Sequence, residues 1–178
     1  MLAYTSVDSA TETYYYYSSL KEINIPASVT KIHPLAFTYA GYNYNSSLGK
    51  QVMSPIRLNI AEGSKLTLID EAAFAYSGIT QLNLPAGVQE VGVQAFFGCE
   101  YLTTVNFGTA EEGSALSSIG GLAFGYCTSL SEMNIYKTVE STSDVPVISP
   151  HISGGSAINF LYGSPVPAIN VKNASLYK

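Results

Sequence analysis

One complete copy of an internal repeat occupies the stretch Ile79-Thr80-Gln81-Leu82-Asn83-Leu84-Pro85-Ala86-Gly87-Val88-Gln89-Glu90-Val91-Gly92-Val93-Gln94-Ala95-Phe96-Phe97-Gly98-Cys99. It contains an apolar-Asn-apolar triplet, a spacer, two apolar residues three positions apart, and an Ala-Phe pair. The same pattern starts at Ile23, Leu58 and Val105 and ends each time with Ala-Phe. The spacer varies in length, whereas the spacing from the apolar pair to Ala-Phe is constant. We therefore expect the constant part to be packed and the spacer to loop out.

The repeat predicts the fold class. A period of roughly 20 to 30 residues is typical of solenoids, because one unit cannot bury its own apolar side. We predict an α/β repeat solenoid, a right-handed open array with one parallel sheet of about six short strands and short helices or turns on the other face. Pro34 is placed to open a helical turn through Phe37, and Asp70 to cap the matching turn through Phe74.

The whole chain, residues 1–178, is expected to be a single repeat domain. Residues 1–19 form an N-terminal half-repeat with a Tyr-rich insertion, residues 20–135 the regular repeats, and residues 136–178 a divergent last repeat with a C-terminal cap. In that last repeat, Phe160 is expected to replace the repeat phenylalanine.

Composition limits the classes of function. With 47% apolar and 12% charged residues, the chain can bury a sizeable core. The net charge of -5 and a single arginine, Arg57, leave no basic stripe for phosphates, so nucleic acid is not an expected partner. No apolar run is long enough to span a membrane, so no membrane insertion is expected within this chain. Its first residues lack the charged-then-apolar order of a signal peptide.

The two cysteines, Cys99 and Cys127, lie three residues after the repeat phenylalanine, where earlier repeats have Ala40 and Ser77. A disulfide and a redox pair are possible functions of such a column. We favour two free, buried packing residues, because alanine and serine occur at the same position.

Catalytic chemistry finds little support in the sequence. The only histidines are His33 and His151, and no nucleophile can be paired with either. The carboxylate pairs Asp70-Glu71 and Glu111-Glu112 are sequence neighbours, which suits loops and caps better than acid and base on opposite sides of a bond. We therefore expect no enzyme activity, no metal site and no cofactor.

One polar residue type recurs between the two inward-facing residues of every triplet. This column consists of Asn24, Asn59, Asn83, Asn106, Asn134 and Asn170. It could form a strip that binds a glycan or peptide, or a ladder of stacked amides that hydrogen-bond from repeat to repeat. We favour the ladder, because a uniform residue encodes little specificity. The adjacent outward column varies, as a ligand-facing or solvated surface would: Glu22, Arg57, Gln81, Thr104 and Glu132.

Tyrosine is concentrated near the amino terminus, where eight of the fourteen precede residue 45. Two insertions carry them, with Tyr14, Tyr15, Tyr16 and Tyr17 in the first and Tyr42 and Tyr44 in the second. Both insertions follow the same repeat position, so stacking would bring these loops to one edge. They could cover the end of the array or bind a ligand, and the Tyr-Asn alternation in the second resembles adaptable binding loops.

The units at residues 20–37 and 82–96 resemble the leucine-rich repeats of the BspA-like bacterial surface family. Both carry proline directly after the triplet, at Pro26 and Pro85, and Cys99 stands shortly before Leu102 as it often does in that family. Residues 171–178 are similar to the family's closing segment, except that Lys172 replaces a proline. The resemblance implies a secreted or cell-surface protein of a host-associated bacterium that acts in adhesion and protein contact, with no catalytic residues.

These observations lead to one functional hypothesis, a non-enzymatic cell-surface or secreted module that binds a protein on a host or bacterial surface. The alternatives are a carbohydrate-binding module that recognises a surface glycan and a structural spacer within a larger surface protein. The candidate ligand-binding residues are Tyr14, Tyr15, Tyr16, Tyr17, Tyr42, Tyr44, Glu22, Asn24, Arg57, Asn59, Gln81 and Asn83.

Overall fold

A computed structural model describes residues 6–8, 13–15, 20–45, 47–136, 147–148, 151–153 and 156–172. Strands and turns make up these residues, and none of them lies in a helix. In chain order the strands are β1 (Ser6–Asp8), β2 (Thr13–Tyr15), β3 (Glu22–Ile25), β4 (Lys31–Ile32), β5 (Tyr42–Asn45), β6 (Lys50–Met53), β7 (Arg57–Ile60), β8 (Leu68–Ile69), β9 (Gln81–Leu84), β10 (Glu90–Val91), β11 (Thr104–Phe107), β12 (Ser118–Ile119), β13 (Glu132–Tyr136), β14 (Val147–Ile148), β15 (His151–Ser153), β16 (Ser156–Ile158) and β17 (Ala168–Lys172).

The six strands that carry the triplets, β3, β7, β9, β11, β13 and β17, form the front of the fold. They pair in parallel and in register, so that the asparagine of one triplet lies beside the asparagine of the next in each ladder. The predicted number of short strands is confirmed. They form two sheets rather than one, however: β3 pairs with β7, and β9, β11, β13 and β17 form a separate four-stranded sheet.

A third parallel sheet lies on the back of the fold, where the sequence predicted short helices or turns. It contains the two-residue strands β4, β8, β10, β12 and β14. The first four of these strands supply the second apolar residue of the pair that precedes Ala-Phe, such as the buried Ile32, Ile69 and Val91. The regular part is therefore a β-fold with three parallel sheets, two on the front and one on the back, and the α/β assignment was wrong for the described residues.

Backbone conformation explains why the turns through Ala-Phe are not helical. The residue before Ala-Phe has a positive φ in every repeat, at Leu35 (61°), Ala72 (50°), Gln94 (57°) and Leu122 (59°). A left-handed residue ends α-helical hydrogen bonding. The turn amides bond to the next repeat instead, since Phe37 N donates to Ala73 O over 2.7 Å and Phe74 N to Ala95 O over 2.8 Å.

The core is organised around the repeat phenylalanines. Phe37, Phe74, Phe96 and Phe124 form a stack with nearly parallel rings and centroid separations of 5.0, 5.2 and 5.3 Å. All but Phe37 are fully buried. In the last repeat Phe124 N donates to Phe160 O. By the register of the other turns, Leu161 and not Phe160 takes the phenylalanine position, so that prediction was wrong by one residue.

Three antiparallel hairpins interrupt the repeats. They pair β1 with β2, β5 with β6, and β15 with β16. The two Tyr-rich insertions were predicted as loops, but residues 13–15 and 42–45 are strands. The alternation of Tyr42-Asn43-Tyr44-Asn45 explains the second case, because a period of two is the period of a strand.

Candidate functional site

The asparagine column forms a hydrogen-bonded ladder along the front of the fold. In each pair the amide nitrogen of the later repeat donates to the oxygen of the earlier one, and the bonds measure 2.7 to 3.0 Å. The pairs are Asn59 to Asn24, Asn106 to Asn83, Asn134 to Asn106, and Asn170 to Asn134. The predicted ladder is confirmed. The amides therefore stabilise the stack, and only their remaining polar atoms are available to a ligand.

The ladder is interrupted between Asn59 and Asn83, and the sheet divides at the same place. Within residues 47–136, strands β7 and β9 are joined by a single bridge, Ile56 to Ile79, at their amino ends. Gly78 allows this close contact, because a Cβ there would overlap the carbonyl oxygen of Ser54. The two strands are thus held together at one end only.

The variable column lies beside the ladder, as the alternation of the strands requires. Glu22, Arg57 and Gln81 are exposed, whereas Thr104 and Glu132 are half-buried. Glu22 also accepts a hydrogen bond from the Asn24 amide over 3.0 Å. These three side chains, which we call the exposed row, occupy the same position of successive repeats. Glu22 and Arg57 are paired in the β3–β7 ladder, whereas Gln81 lies in β9, across the division of the sheet.

The predicted tyrosines lie elsewhere. Tyr14 and Tyr15 belong to β2, but their side chains are outside the described part, and Tyr16 and Tyr17 lie outside the described residues altogether. Tyr42 and Tyr44 belong to the β5–β6 hairpin, which leads through three residues into the amino end of β7. Tyr42 and Tyr44 therefore lie near the amino ends of the front strands, whereas the turns that follow these strands lie at their carboxyl ends.

Tyr42 is packed against other aromatic rings rather than projected into solvent. Its ring meets Tyr39 edge-on at 5.5 Å, and Tyr39 stacks on Tyr76 at 5.2 Å. Partial burial, with contributions from Glu100 and Tyr76, raises the pKa of the Tyr42 phenol. The hairpin is also fixed to a later repeat by Tyr101, whose hydroxyl donates to Met53 O over 3.2 Å. Tyr42 therefore packs against other aromatic rings of the protein.

An outer aromatic column continues from Tyr39 and Tyr76 along the back turns. It runs on through Phe97, Tyr126 and Tyr162 with centroid separations of 5.3, 5.2 and 5.8 Å. Tyr126 and Tyr162 are the most exposed members, at 45% and 50%. Tyr39 and Tyr76 stack face to face, whereas the later contacts in the column are edge-on.

A groove opens where the front strands end and the turns begin. Its volume is about 500 Å³. It is lined by residues 60–64 and 83–87 and by Asn106, Gly108, Thr109, Ala110, Glu112 and Tyr136. The groove therefore lies at the carboxyl ends of β7, β9 and β11, on the side where β7 and β9 are not held together.

This groove was not among the predicted sites. The signals that could have found it are two acid-glycine pairs, Glu62-Gly63 and Glu112-Gly113, in the turns that follow the second and fourth triplets. The turn between them is the short and small Pro85-Ala86-Gly87. Because the turns after β7 and β11 are longer than the turn after β9, a depression forms above the turn after β9.

The two cysteines are free and buried, as predicted. Cys99 Sγ lies 3.2 Å from Phe74 O, and Cys127 Sγ lies 3.1 Å from Phe96 O, so each thiol donates to the carbonyl of the preceding repeat phenylalanine. The hydrogen bond with Cys99, together with burial, raises the pKa of the Cys127 thiol. The two cysteines therefore act as packing residues.

Two further features concern metals and membranes. Among the residues that the structure describes, no three His, Cys, Asp or Glu side chains come together as a metal site would require. The described part also contains no helix that could cross a bilayer.

Parallel strands in register, a hydrogen-bonded ladder of asparagines and stacked phenylalanines define a repeat protein. The sequence matches the BspA type leucine rich repeat region in six copies, over residues 3–43 and 54–145. These ranges cover more than half of the chain, which therefore belongs to the BspA-type leucine-rich repeat family. No curated protein matches the chain.

Among solved structures, the chain is similar to the pneumococcal vaccine antigen PcpA, with a TM-score of 0.60 and 18% sequence identity. The similarity covers 97% of this chain and 35% of the PcpA chain. At this identity the comparison supports the repeat fold alone.

Proposed function

We propose that this chain is a non-enzymatic binding module of a secreted or cell-surface protein, and that its repeats form an open, right-handed solenoid whose front face contacts another protein. The observation that carries the proposal is the exposed row of Glu22, Arg57 and Gln81 beside the asparagine ladder. The asparagine column beside this row is uniform between repeats, whereas the charge and size of the row change at each step. Such variation on a regular scaffold is how repeat proteins present a specific surface.

The comparisons support the surface location. BspA-type repeats resemble the bacterial surface family described above, and the similar structure is described as a vaccine antigen. An antigen used in a vaccine must be reached by antibodies, which suits an exported protein. The same location is proposed for this chain.

Protein is the favoured ligand because the front face is charged and only weakly aromatic. A carbohydrate-binding module would need exposed ring faces for stacking on sugars, and the rings of Tyr39, Tyr42 and Tyr76 contact each other instead. A pure spacer would not need an exposed row whose charge changes from Glu22 to Arg57.

The test is a selection of random linear peptides displayed on phage against the purified chain, followed by the same selection against two double variants. Arg57→Ala with Gln81→Ala should weaken binding of the enriched peptides about tenfold, which is about 1.4 kcal/mol. The matched control, Lys65→Ala with Gln89→Ala, removes one basic and one amide side chain away from this row and should bind normally.

Equal binding by both double variants would refute the front-face assignment. A parallel glycan array distinguishes the alternatives. Glycan capture that depends on Arg57 and Gln81 would favour the carbohydrate-binding module, and capture of neither peptides nor glycans would favour the spacer.

A further inference from the structure

The division of the front sheet creates a cleft between β7 and β9. Of the successive triplet strands that the structure describes, these two alone lack ladder pairing, and the bridge from Ile56 to Ile79 holds them only at their amino ends. The edge of β7 that faces β9, and the edge of β9 that faces β7, are therefore not used in a ladder. Such edges can pair with an added strand.

Apolar side chains become accessible at the same place. In β3 and β9 both inward-facing residues are buried, as Leu82 and Leu84 illustrate. In β7 the corresponding Leu58 and Ile60 are only half-buried, and Ile60 lines the groove. The cleft thus joins an unpaired strand edge to an accessible apolar wall.

The rim of the groove is acidic. Glu62 comes from the turn after β7 and Glu112 from the turn after β11, so they stand on either side of the short turn of β9. Both are exposed, and none of the residues that line the groove is Lys, Arg or His. The amides of Asn83 and Asn106 add neutral polar groups. Among the residues that line the groove, a ligand therefore meets two carboxylates and no positively charged side chain.

We infer that the groove binds an extended peptide segment of a partner protein, with a Lys or Arg side chain between Glu62 and Glu112 and the peptide main chain paired at the open carboxyl end of β7 or β9. The carboxylates select the positive charge, and the strand edge selects a polypeptide, because a glycan has no chain of amides to pair. The inference rests on the proposed function and names the chemistry of its ligand.

The first test uses the peptides enriched by the phage selection. They should contain Lys or Arg more often than the starting library does. Binding of a synthetic enriched peptide should fall about tenfold in Glu62→Gln with Glu112→Gln, and also when its basic residue is replaced by norleucine. The matched control, Glu71→Gln with Glu90→Gln, makes the same change of charge at exposed glutamates outside the groove and should bind normally. Thermal unfolding checks that all variants are folded.

The second test is hydrogen exchange with the same peptide bound. Amides in residues 57–60 and 81–84 should gain protection, whereas residues 104–107, which already pair on both sides, should not change. Peptides without basic residues, or equal binding by the two glutamate doubles, would overturn the inference. If such peptides still depended on Arg57 and Gln81, the proposed function would stand without it. Enrichment of no peptide at all would overturn both.

Discussion

The front of the molecule has two parts that are made from the same triplet but are assembled differently. From β9 to β17 four strands pair continuously, and one ladder of amides runs through them. In the part made of β3 and β7 only one pair forms, and its ladder stops at Asn59. Since the asparagine is present in both parts, its presence is not enough. A ladder forms only where the strands run side by side over their full length.

The inserted hairpin is the sequence difference that coincides with this division. The β5–β6 hairpin delivers the chain to β7 through Ser54 and Pro55, and the contact of Ser54 with Gly78 holds that end. The carboxyl end of β7 has no such contact with β9. The continuous part gains rigidity, and the divided part gains an accessible edge.

The largest expected effect compares the phenylalanine stack in the two parts. Phe96 is fully buried between Phe74 and Phe124, so Phe96→Ala should cost about 3–5 kcal/mol in the free energy of unfolding. Phe37 is half-buried and stacks on Phe74, so Phe37→Ala should cost about 1–3 kcal/mol. Urea unfolding measures both. Equal losses would show that the first repeat is packed as tightly as the third.

A second comparison uses two glycines with the same backbone conformation. Gly98 has a φ of 69° and a Cβ there would lie 2.6 Å from the ring of Tyr76, whereas Gly63 has a φ of 67° and open space around it. Gly63→Ala should cost about 1–2 kcal/mol for the left-handed backbone alone. Gly98→Ala should cost about 1–3 kcal/mol more, because the ring must move. If chemical denaturation gives equal losses, the aromatic column is not packed against Gly98.

The two ladders allow a third comparison. Asn106 donates to Asn83 and accepts from the buried Asn134, so Asn106→Ala leaves a buried amide without its acceptor and should cost about 1–3 kcal/mol. Asn59 makes one ladder bond at an exposed position, and Asn59→Ala should cost about 0.5–1 kcal/mol. A thermal unfolding series of both variants checks the order, which a larger loss at Asn59 would contradict.

The smallest effect concerns the back of the divided part, where Lys31 and Asp70 form an ion pair of 2.7 Å between the first two repeats. The hydrogen bond from Lys31, followed by that from the Glu71 amide, lowers the pKa of the Asp70 carboxyl. A lowered pKa in the folded state stabilises the protein above the unfolded value of about 3.9 and loses this effect as the pH falls through the folded value.

Because both side chains of the pair remain partly exposed to solvent, Asp70→Asn should cost less than about 1 kcal/mol at neutral pH. The difference between Asp70→Asn and the unchanged chain should disappear in acid, well below the unfolded pKa. Denaturant unfolding at neutral and at strongly acidic pH measures it. A difference that persists in acid would mean that Asp70 acts through packing and not through its charge.

Recurrence in the sequence predicted the positions that every repeat shares. The asparagine column, the phenylalanine column and the buried thiols all follow from aligning the repeats, because each is a contact between equivalent residues of neighbouring units. The helical turns were wrongly predicted because leucine and glutamine, the residue types at positions 35 and 94, do not indicate a left-handed backbone. That conformation is imposed by hydrogen bonds to the next repeat.

The groove and the division of the sheet were not predictable in the same way. They arise where neighbouring repeats differ, from the hairpin before β7 and from turns of unequal length around Pro85-Ala86-Gly87. A repeat alignment removes such differences as insertions. The candidate residues Glu22, Arg57 and Gln81 were found because they lie at a repeated position, whereas Glu62 and Glu112 lie at positions that the repeat does not define.

The outer aromatic column also restricts how repeats can be added to such a protein by duplication of its gene. Tyr126 lies two positions after the phenylalanine site of its repeat. Its ring packs on Gly163, the glycine at the same position of the next repeat. A ring at the first position, Phe97, packs on a glycine at the first position of the following repeat, Gly125.

From Tyr76 onward, ring and glycine therefore alternate with a period of two repeats, whereas Tyr39 stacks directly on Tyr76. Tandem duplication of the repeat that carries Phe97 would place its ring against the Cβ of a second phenylalanine, because the first position would no longer be glycine. Duplication of that repeat together with its successor would keep every ring opposite a glycine. Recombination that adds repeats in twos is thus compatible with this packing, whereas addition of a single repeat requires a compensating substitution.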